Sequence, residues 1–518
     1  MLTTIDLVVI VIYLGVLTAI GLAFARRQTS EDAYFLGNRR LPWGVVGVSV
    51  MATIISTLTY LSLPGEMIAH GTGYFFSVFA LVLVIPVANL LIIPALRRMP
   101  ITTVYEYFDQ RYNSAARMVG AAAFVFSRLL WIGLILYTTS FAVQEMTGYP
   151  TVSIILVLGV VTTFYTTAGG MPAVVWTDFV QGLLLLGGAA FVPIFVMVQT
   201  GAGPDTWWQT FSEAGRSRAP VFSLDLTVRI SVIGIILNDL VWNLCTHGSD
   251  QVAAQRYLST PTVRDAQRSL CVFSACAVAL ILLLGIVGLA LFHFEFTQTQ
   301  QPMSEFAKDI SERADRVFPA FIAEQLPPGV SGLLMAAILA AAMSSLSSGI
   351  NSITSVVTRD FLDRASADKQ TSPPRMARVK TLAALAGVVG IGSALLVYMV
   401  MQRSEWNLVE MIGRLNGLFV APLGVLFLVG IISRRVGAAA ALWGFAAGSA
   451  TSIVVAFRKE LFGATDNISF MWIMPFSFLV SFLVSYLASL FCAPPSRETL
   501  TVLGMEPDQR SENSSSEN

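Results

Sequence analysis

Apolar residues run along this chain in stretches of about 20, the length at which an α-helix crosses the hydrocarbon core of a bilayer. The pattern predicts thirteen spans, at 4–25, 43–69, 74–96, 117–146, 150–168, 173–200, 227–248, 269–293, 329–358, 377–402, 407–432, 436–457 and 470–492. The first lacks a basic leader and is too long for a signal-peptide core, so it reads as a retained helix. Basic residues gather in alternate loops: Arg26, Arg27, Arg39 and Arg40, then Arg97, Arg98, Arg111 and Arg117, then Arg256, Arg264 and Arg268, then the 359–380 stretch, then Arg434 and Arg435. Basic loops face the cytoplasm. The expected class is therefore an all-α, polytopic protein of the cell (plasma or inner) membrane, N-terminus outside and C-terminus inside. Residues 1–492 form a single transmembrane domain, and 493–518 form a disordered cytoplasmic tail.

Two outer loops carry structure of their own. Met303, Phe306, Ile310, Val317 and Phe321 recur at roughly helical intervals among charges. They predict a surface helix that either covers the outer mouth or anchors at the interface. In DTWWQTFSEAG (205–215), Trp207, Trp208 and Phe211 suit an interfacial aromatic belt.

Two spans are not plain. The second, VSVMATIISTLTYLSLPGE (48–66), carries Ser or Thr at 49, 53, 56, 57, 59 and 62 and then Pro64-Gly65. The seventh, ILNDLVWNLCTHGSDQ (236–251), carries Asn238, Asp239, Asn243, Thr246, His247, Gly248 and Asp250. Irregular backbone at membrane depth survives only where protein or water buries it. Matching interrupted spans point to a transporter's central site. Small residues alone would also suit a helix–helix contact, but ionisable groups at depth are expensive. The two spans stand five apart, which fits two five-helix repeats, 43–200 and 227–432, the second inverted, with one helix before and two after.

The ninth span contains AAAMSSLSSGINS (340–352). Ser344, Ser347 and Ser348 share one helical face, Ser345 stands beside it and Ala341 lies one turn earlier. Clustered hydroxyl and carbonyl oxygens with little net charge suit a monovalent cation better than a divalent one. Asp178, in AVVWTDFVQG (173–182), could add one negative charge; it could equally be solvated near the cytoplasmic entrance of its span.

Composition agrees with a membrane protein. The 518 residues are 55% hydrophobic and 12% charged, with mean hydropathy +0.70, against a charged share of about 25% in soluble proteins. A net charge of zero gives nucleic acid no foothold. Cys245, Cys271, Cys276 and Cys492 lie in or beside apolar segments and read as buried thiols. No phosphate loop, metal-ligand cluster or nucleophile–base pair suggests an enzyme. His247 has no acidic neighbour in sequence and is expected to pack.

Three segments carry a family resemblance: FYTTAGGMPAVVWTDFVQ (164–181), GSDQVAAQRYLST (248–260) and LLMAAILAAAMSSLSSGINSITSVVTRDF (333–361). Together the chain resembles the sodium:solute symporter family, which includes sodium/proline, sodium/glucose, sialic-acid and monocarboxylate carriers. The resemblance implies a LeuT-type inverted 5+5 repeat. It also implies sodium-coupled symport of a small organic solute, such as a sugar or organic acid, by alternating access. It places a first sodium site at the carbonyls of Ala52, Ile55 and Ala341 and the hydroxyls of Ser344 and Ser345. It places a second at Asp178, Ser344, Ser347 and Ser348, and so two sodium ions per cycle. Solute would lie among Thr57, Thr59, Tyr60, Trp131, Tyr137, Asn238, Asp239, Trp242, Asn243 and Asn351.

The chain also departs from the family. Trp131 stands where sialic-acid carriers place an arginine, with Arg128 one turn away. Leu58-Thr59 replaces the polar pair of the sugar carriers. Arg414 could hold an anionic solute, but its position one turn from Glu410 favours an ion pair. A solute and the lipid are the only partners implied. A sodium-independent facilitator, or a sensor acting with a separate signalling partner, are the alternatives.

Overall fold

The computed structural model describes residues 3–217, 221–365, 374–402, 418–463, 468–496 and 500. Every regular element among them is helical. α1 (Thr4–Ala25) opens on a capping box between Thr3 and Asp6. The Asp6 carboxylate also accepts the N–H groups of Gly329 at 2.7 Å and Gly332 at 2.8 Å. It thereby caps the first turn of a helix more than three hundred residues away, where unsatisfied N–H groups favour an anion.

The second predicted span is two helices, α2 (Trp43–Ile54) and α3 (Thr57–His70), bent by 67°. The break falls at Ile55, which is extended (ψ 101°), not at Pro64-Gly65. Pro64 sits inside α3. Gly65 serves packing: a Cβ there would lie 2.8 Å from an Asp315 carboxylate oxygen.

α4 (Thr72–Arg98) and α5 (Ser114–Thr147) follow. α6 (Thr151–Thr200) would be about 75 Å long as one rod, but Gly170 breaks it at a left-handed φ of 58°. Glycine is required twice over there, because a Cβ would also lie 2.7 Å from the Tyr34 carbonyl. The seventh predicted span, 227–248, is α7 (Val232–Ser249); α8 (Gln251–Leu258) follows beyond its predicted end, divided from it at extended Asp250, whose side chain caps α8 through the Val252 N–H at 2.9 Å. α9 (Val263–Thr297) precedes two surface helices, α10 (Met303–Glu312) and α11 (Ala314–Glu324), in place of the single helix expected. Then come α12 (Val330–Leu362), α13 (Pro374–Met401), α14 (Val420–Ile432), α15 (Ala438–Ala456) and α16 (Phe470–Ala488).

Nine described helices are long and apolar enough to cross a membrane, ten with the bent pair. The thirteen spans expected exceed this for physical reasons. α6 holds two of them, α7 with α8 is interrupted by polar residues, and α14 begins after residues 403–417, which are not described. Arg414 and Glu410 lie outside the described residues, as does nearly all of the tail.

α12 is the hub, packed against α1, α2, α5 and α6. Its most apolar stretch is 94% buried in protein, against 17% for α1. A helix enclosed on all sides can carry polar groups that lipid would reject. In the outer loops, Trp207 and Phe211 pack inward and only Trp208 is exposed, so two of the three expected belt residues are core. All four cysteines are free; Cys245 is buried, Cys276 and Cys492 are partly covered and Cys271 is exposed, contrary to the expectation of four buried thiols.

Candidate functional site

A helix that stops leaves its last carbonyls without intrahelical partners. Where α2 stops, hydroxyls of α12 fill that role. Ser344 Oγ donates to the Ala52 carbonyl at 2.7 Å and lies 3.1 Å from the Ala341 carbonyl. Ser345 Oγ donates to the Thr53 carbonyl at 3.0 Å. Both serines are buried. Four of the five residues expected at the first cation site are thus linked directly by these bonds or neighbour one another along α12. The fifth, Ile55, is the residue at which the chain turns.

The second expected set is arranged differently. Asp178 is fully buried, and its Oδ2 accepts from Ser49 Oγ at 2.7 Å and Thr53 Oγ1 at 3.1 Å. Ser348 Oγ lies 3.5 Å from the same oxygen. Ser347 donates to the Ser344 carbonyl at 3.0 Å, and Ser344 belongs to the first cluster. Arg256, from α8, enters the set instead. Its Nη2 donates to Asp178 Oδ2 at 2.6 Å, to Thr53 Oγ1 at 2.8 Å and to Ser348 Oγ. Its Nε donates to Ser49 Oγ at 2.8 Å and its Nη1 to the Val252 carbonyl at 2.7 Å. Arg256 is 1% exposed, so it is no loop charge. The sequence offered one signal of this: the arginine sits in the polar run after Asp250, with Gln251 and Gln255 on the same short helix.

Above the break opens a cavity of about 980 Å³. Six of the ten residues expected near the solute line it: Thr59, Trp131, Asn238, Asp239, Trp242 and Asn243. Four other expected residues do not. Thr57 donates to the Ile338 carbonyl at 3.2 Å, and Tyr60 donates to the Leu185 carbonyl at 3.4 Å and packs on Phe318. Tyr137 packs against Phe141 and Tyr398, and Asn351 Nδ2 points to Met171 Sδ at 3.3 Å. Each fills a helix–helix seam, and for the two tyrosines an aromatic body with one polar end fits such a seam well.

The cavity's mouth is formed by Glu66, paired with Arg229 at 2.6 and 2.9 Å, which the sequence did not nominate, and by the turn between α10 and α11 from Ser311 to Arg316, inside the outer stretch for which covering the mouth was one of two expectations. At the floor, Trp131 and Trp242 separate the cavity from a void of about 60 Å³ that holds Arg128 and Asp250. Those two side chains form an ion pair. Arg128 is thereby committed to the protein. Below it the backbone is closed by further bonds: Gln251 exchanges with Val104 N–H at 3.0 Å and the Thr102 carbonyl at 2.9 Å, and Tyr105 donates to the Ser249 carbonyl at 3.1 Å. His247 packs as expected, with Nδ1 2.8 Å from the Tyr257 hydroxyl and its ring edge-on to Phe273.

Among the described residues no group of three or more His, Cys, Asp or Glu could hold a metal ion. The oxygens at the break are neutral carbonyls and hydroxyls, a donor set for a weakly held alkali cation, not for catalysis.

The chain matches the model of the sodium:solute symporter family over residues 34–448. It is similar to the sodium/sialic acid symporter NanT of Aliivibrio fischeri, at 29% identity over 88% of this chain and 89% of the relative. It is likewise 29% identical to the sodium/sialic acid symporter SiaT of Proteus mirabilis, over 87% and 89%. A solved sodium-coupled sialic acid symporter, in a substrate-bound outward-open state, superposes with a TM-score of 0.82 at 25% identity, covering 96% of this chain and 99% of that one. Mhp1, a nucleobase-cation-symport-1 family transporter, shares the fold alone, with a TM-score of 0.51 at 12% identity. The backbone is thus of the LeuT-like kind. The chain belongs to the sodium:solute symporter family, and it is a multi-pass secondary active transporter that couples sodium to the symport of a small organic solute.

Proposed function

We propose that sodium binds where α2 breaks, coordinated by the carbonyls of Ala52, Ile55 and Ala341 and the hydroxyls of Ser344 and Ser345. The observation that carries this is Ser344 Oγ standing within hydrogen-bond distance of both the Ala52 and Ala341 carbonyls. A cation between them would replace the hydroxyl hydrogens with one positive charge and draw α2 and α12 together. Ordering the break orders Thr59 on the next turn, so sodium raises solute affinity and solute raises sodium affinity by the same factor.

The solute sits in the cavity between Thr59 on α3, Trp131 on α5 and Asn238, Asp239, Trp242 and Asn243 on α7. A small metabolite with several hydrogen-bonding groups suits this lining. Arg128, held by Asp250, is withdrawn from the role of carboxylate anchor, which argues against sialic acid itself.

The arrangement corresponds to an outward-facing state if basic loops face the cytoplasm: the N-terminus outside, the C-terminus inside, thirteen spans, and two inverted five-helix repeats at 43–200 and 227–432 within a domain of 1–492. At the second cluster, Asp178, Ser344, Ser347 and Ser348, a second sodium reaches Asp178 Oδ2 only if the Arg256 guanidinium leaves it. Each sodium that enters down a potential of 100 mV contributes about 2.3 kcal/mol to solute uptake.

Thermal unfolding of the purified protein in detergent, in sodium chloride against potassium chloride, tests the site. Sodium at about 100 times its dissociation constant stabilises by about 2.7 kcal/mol. Wild type is expected to melt higher in sodium, and Ser344→Ala to melt alike in both salts. A sodium-specific shift that survives in Ser344→Ala would remove this site.

A further inference from the structure

We infer that Arg256 is a built-in cation of this transporter. Its guanidinium holds the place beside Asp178 that a second sodium would fill, so that one sodium binds per chain. The inference rests on the reading of sodium at the α2 break and deepens it by fixing the number of ions.

The argument is one of ligands and charge. A sodium ion at Asp178 needs several oxygens turned toward one point. Three of the oxygens around Asp178 are already turned toward Nη2 of Arg256: Asp178 Oδ2 at 2.6 Å, Thr53 Oγ1 at 2.8 Å and Ser348 Oγ. A fourth, Ser49 Oγ, lies 2.8 Å from Nε of the same group. The hydroxyls expected to complete a sodium shell are committed elsewhere, Ser344 to the Ala52 carbonyl and Ser347 to the Ser344 carbonyl.

Charge leads to the same place. Asp178 is fully buried and Arg256 is 1% exposed. One carboxylate and one guanidinium, in contact, leave this point neutral. A second sodium beside both would leave a net positive charge in a low-dielectric interior, which is strongly disfavoured. Asp178 Oδ1 has no hydrogen-bond partner among the described residues. It is the one oxygen of the carboxylate through which a second ion could still compete.

The pair also has a mechanical reach that a free ion lacks. Arg256 is carried by α8, Asp178 by α6, Ser49 and Thr53 by α2 and Ser348 by α12. The guanidinium therefore fastens the short helix after the Asp250 break to the elements that flank the sodium site. A tethered cation leaves Asp178 only when α8 moves, whereas sodium would leave by diffusion.

The test counts ions with ²²Na⁺ alone, so no solute is needed. Equilibrium binding to the purified full chain at saturating sodium is expected to give one ion per chain for the wild type. Arg256→Gln, which removes the charge, is expected to bind two, and the neutral pair Asp178→Asn/Arg256→Gln to return to one. Two ions bound to the wild type would overturn this inference alone, since sodium would then reach Asp178 through Oδ1 with the arginine in place. One ion bound to Arg256→Gln would also overturn it. No ion bound to the wild type would overturn the sodium reading of the α2 break, and this inference with it. If Arg256→Gln does not yield folded protein, the wild-type count still decides.

Discussion

At the scale of single residues, the protein's polar groups are placed by what they satisfy. The serines of α12 would be a liability in lipid, but the helix is enclosed and they cap carbonyls that the α2 break exposes. Asp178 and Arg256 form a buried ion pair at 2.6 Å. Removing one member of such a pair leaves an uncompensated charge and costs about 3–5 kcal/mol, whereas removing both costs far less. In sodium-free buffer, Asp178→Asn and Arg256→Gln are therefore each expected to destabilise the protein strongly, and the double variant less than the sum of the two. A double-mutant cycle on chemical or thermal unfolding reads this, and additive effects would mean that the two charges are not coupled. The serines and Asp178 were legible in sequence because oxygen-bearing side chains inside an apolar run have few bland explanations. Arg256 was not. A basic residue just past a span counts as a loop charge by the cytoplasmic-loop rule, and the polar run around it, with Gln251 and Gln255, marks a buried helix only once the fold is seen. Arg111 was hidden in the same way: it is 1% exposed and donates to the Gly430 carbonyl at 2.8 Å.

At the scale of elements, both interrupted spans were legible, but not the points where they break. Pro64-Gly65 looked like the interruption of the second span. Proline within a helix frees one carbonyl and can be accommodated, and here it is, while the chain turns at Ile55 among small and β-branched residues. Four of the ten solute candidates, Thr57, Tyr60, Tyr137 and Asn351, proved to be seam residues because sequence gives the helix but not the face a neighbour covers. The outer helices illustrate the opposite case, since four of the five residues in their apolar spacing, Phe306, Ile310, Val317 and Phe321, are buried and Met303 is partly covered. α11 rests on α3 at Gly65 and brings Asp315 against Glu66. Burial, and then the nearby Glu66 carboxylate, raise the Asp315 pKa, with Arg229 and His70 opposing. A carboxyl whose folded pKa exceeds its unfolded value of about 3.9 contributes most below that value. That contribution is lost as pH rises through the raised pKa. Asp315→Asn is therefore expected to melt higher than wild type at pH 7.5 and at the same temperature near pH 4. Equal melting at both pH values would mean that α11 docks without strain from this charge.

At the scale of the whole molecule, one hub organises everything. α12 touches the break of α2, the ion pair reached from α8, and the helices α1, α5 and α6 that hold it. The cavity opens at one end through the Glu66–Arg229 pair and the α10–α11 turn, and ends at the other on Trp131, Trp242 and the Arg128–Asp250 pair. α2 reaches both regions: Ile54 lines the cavity and the small void beneath it, and the Ala52 and Thr53 carbonyls accept the serines of α12. The account stands on sodium lying at the break. A high-resolution density map of the protein in sodium chloride, compared with one in choline chloride, tests this most directly. The expected result is a sodium-dependent peak bonded to the carbonyls of Ala52, Ile55 and Ala341 and to Ser344 and Ser345. Ser344 still donating to Ala52 in both salts, with the sodium-dependent density elsewhere, would contradict it.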